Sequence, residues 1–205
     1  MPAQSAEIVI IGCSALLKEI NALKKANDWP HVSVDAITAE FHNRPEKITP
    51  AVRSSIEAAQ QRGAEVFVAY GDCGTGGELD RLLEEKSVTR IAGAHCYQFF
   101  AGQQTFEAIQ EQELGTFYLT DFLARHFDRL VIRGLGLDKK PALIPMFFGN
   151  YKKLMYLAQT EDIELQKAAQ QAATSLGLEY DYYYTGMGDM APAIVQFVES
   201  NARPA

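Results

Sequence analysis

Two short, largely apolar runs, each closed by a glycine and each leading into a helical pattern, constrain this chain more than any other feature. Ile8–Ile11 (IVII) runs into Gly12, after which Leu16, Leu17, Ile20 and Leu23 recur at helical spacing. Ala64–Tyr70 (AEVFVAY) repeats the arrangement between Gly63 and Gly71, ahead of Leu79, Leu82 and Leu83. Strands apolar on both faces belong in a parallel sheet covered by helices on each side. His31–Ile37, Val88–Ala92, Leu154–Gln159 and Leu178–Tyr184 read as further strands, and the helical periods between them give the alternation of an α/β protein. From Gln98 to Asn150 the period is mainly helical, over more residues than one crossover needs. The expectation is a three-layer, mostly parallel, doubly wound sheet of about five or six strands. A helical insertion or cap over residues 98–150 would separate strands four and five.

At 205 residues the chain can bury a core without a disulfide or structural metal, so one α/β domain over 1–205 is expected. The net charge of -7 gives little support to binding nucleic acid or an anionic bilayer, and no apolar run is long enough to span a membrane. Met1–Glu7 lacks the basic and apolar regions of a secretory signal, and the three cysteines are an odd, sparse set. A reducing, cytoplasmic setting follows.

In a parallel sheet with right-handed crossovers, the loops after successive strands emerge on one edge, where ligands bind. That edge would collect Cys13, His42, Cys73, His95 and Cys96, then Gln159, Thr160 and the Gly186–Asp189 turn. All three cysteines lie on it. Cys73 sits in Tyr70–Gly77 (YGDCGTGG), where Gly74, Thr75, Gly76 and Gly77 could present backbone N–H groups to an anion or cofactor, or lower the thiol pKa. The glycines match neither the dinucleotide fingerprint nor a Walker loop, and a tight turn without a ligand would use them equally well.

Convergence of Cys13, Cys73 and Cys96, with His42 or His95, would form a zinc site, closed or with an open position. Thiolates also suit iron, copper or a corrinoid. The cysteine spacings of 60 and 23 residues match no local zinc motif, so this expectation rests on the fold; Cys13 could equally be a small buried side chain. His42 or His95 could move a proton, and Arg44 could clamp a carboxylate or phosphate, with loop anchoring the plainer role for the His42–Arg44 group. His31 reads as a surface residue and His126 as helix packing. Thr116, Tyr118, Thr120 and Asp121 could line a pocket or serve as caps and core. The alternating tyrosines of Tyr180–Tyr184 suit a strand with one aromatic face.

Six blocks in order, FHNRPEKI from Phe41, YGDCGTGG from Tyr70, AHCYQFF from Ala94, GTFYLTDFL from Gly115, LGLDKKP from Leu135 and YKKLMYLAQTED from Tyr151, resemble the domain-of-unknown-function 1638 family of bacteria and archaea. The resemblance runs from about Ile8 to Asp189 and carries His42, Asn43, Arg44 and Pro45, Tyr70 to Gly74, and His95 to Tyr97 as block residues; Phe41 stands where the block is expected to have leucine. It implies a place beside corrinoid-dependent methyltransferases for methylated amines, and supplies no reaction.

The leading expectation is therefore a metal-binding protein or metalloenzyme, acting on a small molecule in methylated-amine or one-carbon metabolism. Beside it stand a non-catalytic corrinoid or metal carrier for a methyltransferase, and an enzyme with Cys73 as nucleophile and a histidine base. A structural protein, with Tyr180–Tyr184 and the helical insertion forming a homo-oligomer interface, is the remaining class.

Overall fold

The computed structural model describes residues 7–201, which divide into two compact units, one of residues up to Phe99 together with those from Asp189 onward, the other Phe100–Gly188. The first begins with β1 (Ile8–Cys13), every residue of which is buried. Then come α1 (Leu17–Ala26), β2 (Val32–Ile37), α2 (Ile48–Gln61), β3 (Glu65–Ala69), α3 (Glu78–Lys86), the two-residue β4 (Thr89–Arg90) and the start of α4 (Cys96–Ala101). The strands are parallel in the order β2-β1-β3-β4, with Ile8 opposite both Val32 and Glu65. Ile8, Ile10 and Ile11 together with Leu16, Ile20, Ile48, Ile56 and Leu79 bring their apolar groups into one core, which is what the two opening runs require.

The second unit contains α5 (Gln103–Gln112), β5 (Thr116–Leu119), α6 (Asp121–Arg125), a π-helical stretch at Asp128–Arg133, α7 (Ile144–Phe148), β6 (Lys153–Ala158), α8 (Ile163–Leu176) and β7 (Glu179–Tyr184). Its parallel sheet has the order β5-β6-β7. Asp162 caps α8, accepting from the N–H groups of Glu164 (2.9 Å) and Leu165 (3.3 Å), and Leu165, Ala169, Ala172 and Ala173 cover Leu154 and Tyr156. The last helix, α9 (Met190–Asn201), returns to the first unit, where Phe197 meets Phe67 of β3 at a ring separation of 4.9 Å.

The α/β class and the parallel pairing agree with the sequence. The single sheet of five or six strands does not: there are two sheets, of four and three strands. The difference arises within 98–150, where Thr116–Leu119 is a strand that nucleates the second sheet beside β6. Four residues are too few for a period to declare itself against the helices on either side. No helix among the described residues is long and apolar enough to cross a membrane.

Candidate functional site

In the first sheet the chain steps from β1 to one side and then returns to the other, which puts the topological switch point, where ligands bind in such sheets, at the carboxyl ends of β1 and β3. Cys13 ends β1 and is 3% exposed; its sulfur accepts the Ala15 N–H at 3.4 Å, capping the short turn Ser14–Leu16. Next to it, Ser14 Oγ accepts the Ala39 N–H at 2.8 Å and so ties the loop carrying His42 and Arg44 to the end of β1.

Tyr70 leaves β3 wholly buried and is followed by Gly71. A Cβ on Gly71 would stand 2.7 Å from the Ala94 carbonyl oxygen and 3.0 Å from His95 Cα, so only a residue without one lets the loops after β3 and β4 run this close. The approach is fastened by the Cys73 N–H, which donates to Ala94 O at 3.1 Å. Arg90 fixes the second loop from behind: it donates to both Asp80 oxygens (2.6 and 3.2 Å) and to the carbonyls of Ile91 and Gly93 (2.8 Å each).

The glycine-rich turn is organised by its own aspartate. Asp72 accepts the Thr75 hydroxyl at 2.6 Å, the Gly77 N–H at 2.8 Å and the Gly76 N–H at 3.2 Å. Burial opposes its ionisation, but Thr75 and the backbone N–H groups of Gly77, Gly76 and Gly74 outweigh it and hold the carboxyl below its ordinary value. The donors of the Gly74–Gly77 turn are thus engaged within the loop. Cys73, at φ +47°, is held in left-handed backbone by this closure.

The three thiols lie within electrostatic reach of one another. Burial pushes the Cys13 thiol up to about 11, against the Ala15 N–H and the Tyr70 hydroxyl. Burial, then the neighbouring Cys13, pushes Cys73 up to about 12, with backbone N–H groups of Gly71 and Cys96 opposing. Cys96 is raised by burial and by Cys73 and Cys13. Of the two roles open to the turn, holding an anion or lowering the Cys73 pKa, the second is not realised: desolvation and the adjacent sulfur outweigh its dipoles. Among the described residues, no set of three or more His, Cys, Asp or Glu side chains stands ready to hold a metal ion, so a metal would have to draw the sulfurs together.

His42 lies over Tyr70, its ring 5.8 Å away and tilted by 20°, and its Nδ1 is 2.9 Å from the Ala39 carbonyl. With Nδ1–H as donor, Nε2 keeps its lone pair. Although His42 is exposed, desolvation by the protein beneath it depresses its pKa, the Ala39 contact opposes this and the nearby His95 adds to it. His95 and Arg44 are exposed. His31, expected at the surface, is half-buried, with its Nε2 lacking a partner. His126 packs edge-on against Phe122, as expected of a helix contact.

The other half of the expected edge belongs to the second sheet. There Asp121, 1% exposed, accepts the Tyr156 hydroxyl (2.7 Å), the Gln159 N–H (3.0 Å) and the Thr160 hydroxyl (2.5 Å), while Gln159 Oε1 accepts the Asp121 N–H at 2.8 Å. Thr120 caps α6 through the Leu123 N–H at 3.4 Å. These groups join strand ends to one another. Sequence reasoning gave no structural role to Asp72 or Arg90. An aspartate followed three to five residues later by Thr75, Gly76 and Gly77 is the signal of a side chain closing its own loop, and it was legible.

Parallel α/β architecture in two sheets defines the class to which this protein belongs. Residues 36–194 match the family described as "Protein of unknown function (DUF1638)", and the chain belongs to that family. No curated protein matches it. A solved structure, ornithine carbamoyltransferase from Pyrococcus furiosus, aligns at 12% identity with a TM-score of 0.26, over 87% of this chain and 55% of that one. So low a score carries no argument.

Proposed function

We propose that this protein binds a soft metal ion, zinc or iron, through Cys13, Cys73 and Cys96 at the carboxyl edge of its first sheet. What supports the reading is that three thiols from three separate loops act on one another electrostatically, Cys73 being raised by burial and then by repulsion from Cys13, and Cys96 by burial and then by repulsion from Cys73 and Cys13. A divalent cation relieves that repulsion by binding the deprotonated sulfurs, and three sulfur donors suit zinc or iron. When bound, such an ion supplies Lewis-acid chemistry to a water or a substrate thiol. His42, neutral at pH 7 because its pKa is depressed, offers Nε2 as a base or a further ligand. His95 stands near it, and the exposed Arg44 is available to a substrate anion. Asp72 and the Gly74–Gly77 turn hold Cys73 in place.

The substrate class attached to this reading, a small molecule of methylated-amine or one-carbon metabolism handled beside a corrinoid methyltransferase, rests on the family resemblance alone. The nucleophile reading is weaker than the metal one, because a Cys73 thiol near 12 is almost wholly protonated at neutral pH. Elemental analysis of anaerobically purified protein tests the proposal. Close to one zinc or iron per chain is expected, falling below about 0.2 in Cys73→Ser and Cys96→Ser. Wild-type protein that carries no metal and takes up neither ion on reconstitution would overturn it.

A further inference from the structure

The second sheet ends in an open edge. β7 pairs with β6 on one side, from Glu179 opposite Lys153 to Tyr184 opposite Ala158, and among the described residues no strand lies on its other side. The Glu179 and Thr185 N–H groups donate to the Lys152 and Ala158 carbonyls (2.9 and 2.8 Å), so the odd-numbered residues of β7 turn their backbone toward β6. The residues between them point the other way, which sets the N–H and carbonyl groups of Tyr180, Tyr182 and Tyr184 along the free edge. Tyr183 and Tyr184 are 41% and 52% exposed, and tyrosine favours extended backbone. An edge of this kind is a template for a further strand, and β7 of a second copy is the strand present in every solution of the protein. Two symmetric antiparallel registers keep most of the strand paired, one centred on Tyr182 and the other on Asp181.

Asp181 obstructs both. Its Oδ1 accepts the Tyr182 N–H at 2.9 Å, so the middle donor of the edge is taken by the strand's own side chain. Lys153 of β6 donates to Oδ2 at 3.0 Å and holds the carboxylate in that orientation. The register centred on Tyr182 needs this N–H for the reciprocal pair of bonds between the two Tyr182 residues. The register centred on Asp181 sets two carboxylates directly opposite each other, where like charges repel. We propose that Asp181 guards the edge of β7, preventing it from pairing with a second copy of this chain. The inference is independent of the metal reading, since every group in it belongs to the second unit.

The test is Asp181→Ala, which frees the Tyr182 N–H and removes the charge. In sedimentation velocity over a concentration series, the variant should self-associate about 10–100-fold more tightly than wild type. Residue-resolved hydrogen exchange should show new protection at the amides of Tyr180 and Tyr184, while those of Glu179 and Thr185, already bonded to β6, keep their wild-type rates. Asp181→Thr, a residue that strands favour, should do the same and answers the question if the alanine variant does not fold. Association equal to wild type in the folded variant would overturn the proposal. So would tighter association without protection at Tyr180 and Tyr184, which places the contact elsewhere, or a wild-type protein already protected at both.

Discussion

Replacing Gly71 with alanine tests how the candidate site is assembled. The added methyl carbon would lie 2.7 Å from Ala94 O, 3.0 Å from Ala94 C and 3.0 Å from His95 Cα, all of them backbone atoms that no rotamer change can move. A relaxed carbon–oxygen contact is about 3.3 Å, so the loop carrying His95 and Cys96 must retreat by roughly 0.6 Å. Overpacking of this kind costs about 1–3 kcal/mol, and loss of the 3.1 Å bond from Cys73 N–H to Ala94 O adds about 1 kcal/mol. The reduced freedom of alanine in the unfolded chain returns about 0.4–1 kcal/mol, which leaves a net loss of about 1–4 kcal/mol. The single tryptophan, Trp29, lies in the first unit, so its emission during urea unfolding follows that unit. The midpoint should fall with little change in slope, and zinc uptake should weaken as Cys96 is displaced from Cys73. A midpoint equal to that of wild type, with unaltered zinc affinity, would show that the two loops are not held by this contact.

Three further outcomes follow from the same structure. Because Cys13 is raised to about 11 when folded, its contribution is complete below the ordinary thiol pKa and is lost as pH rises toward 11, at about 1.4 kcal/mol per pH unit. Denaturant midpoints of the metal-free protein between pH 8 and 10.5 should therefore fall less steeply in Cys13→Ala; parallel slopes would refute this. Asp72, held below its ordinary value by Thr75 and the loop N–H groups, stabilises at neutral pH and ceases to do so as pH falls through its folded pKa. Asp72→Asn should cost about 1–3 kcal/mol at pH 7 and distinctly less near pH 3 by urea denaturation. Asp121→Ala strips acceptors from the Tyr156 hydroxyl, the Gln159 N–H and the Thr160 hydroxyl, at about 1–3 kcal/mol for each buried group left unpaired. Hydrogen exchange should accelerate over residues 116–160 and remain at wild-type rates in β1 and β3.

The strands that were legible from sequence were those whose apolar runs are long enough to show a preference and are bounded by glycine. β1 and β3 are the clearest, and β6 and β7 were placed within a residue or two. β5 escaped because Thr116–Leu119 is four residues long and lies between two helices, and with it went the division into two sheets. The position of Cys13, Cys73 and Cys96 at or after the ends of β1, β3 and β4 was legible because it depends only on which loops leave the carboxyl edge of a parallel sheet. Their protonation was not: the glycine turn argued for a lowered Cys73 pKa, whereas the depth of the sulfur, a tertiary property, decides the opposite sign.

X-ray absorption at the metal edge of the zinc-reconstituted protein addresses the central claim most directly, because it counts the sulfur neighbours of the bound ion. Three sulfurs at about 2.3 Å are predicted, dropping to two in each of Cys13→Ser, Cys73→Ser and Cys96→Ser wherever metal is retained. A shell of nitrogen and oxygen alone, or a sulfur count indifferent to these three substitutions, would contradict the account.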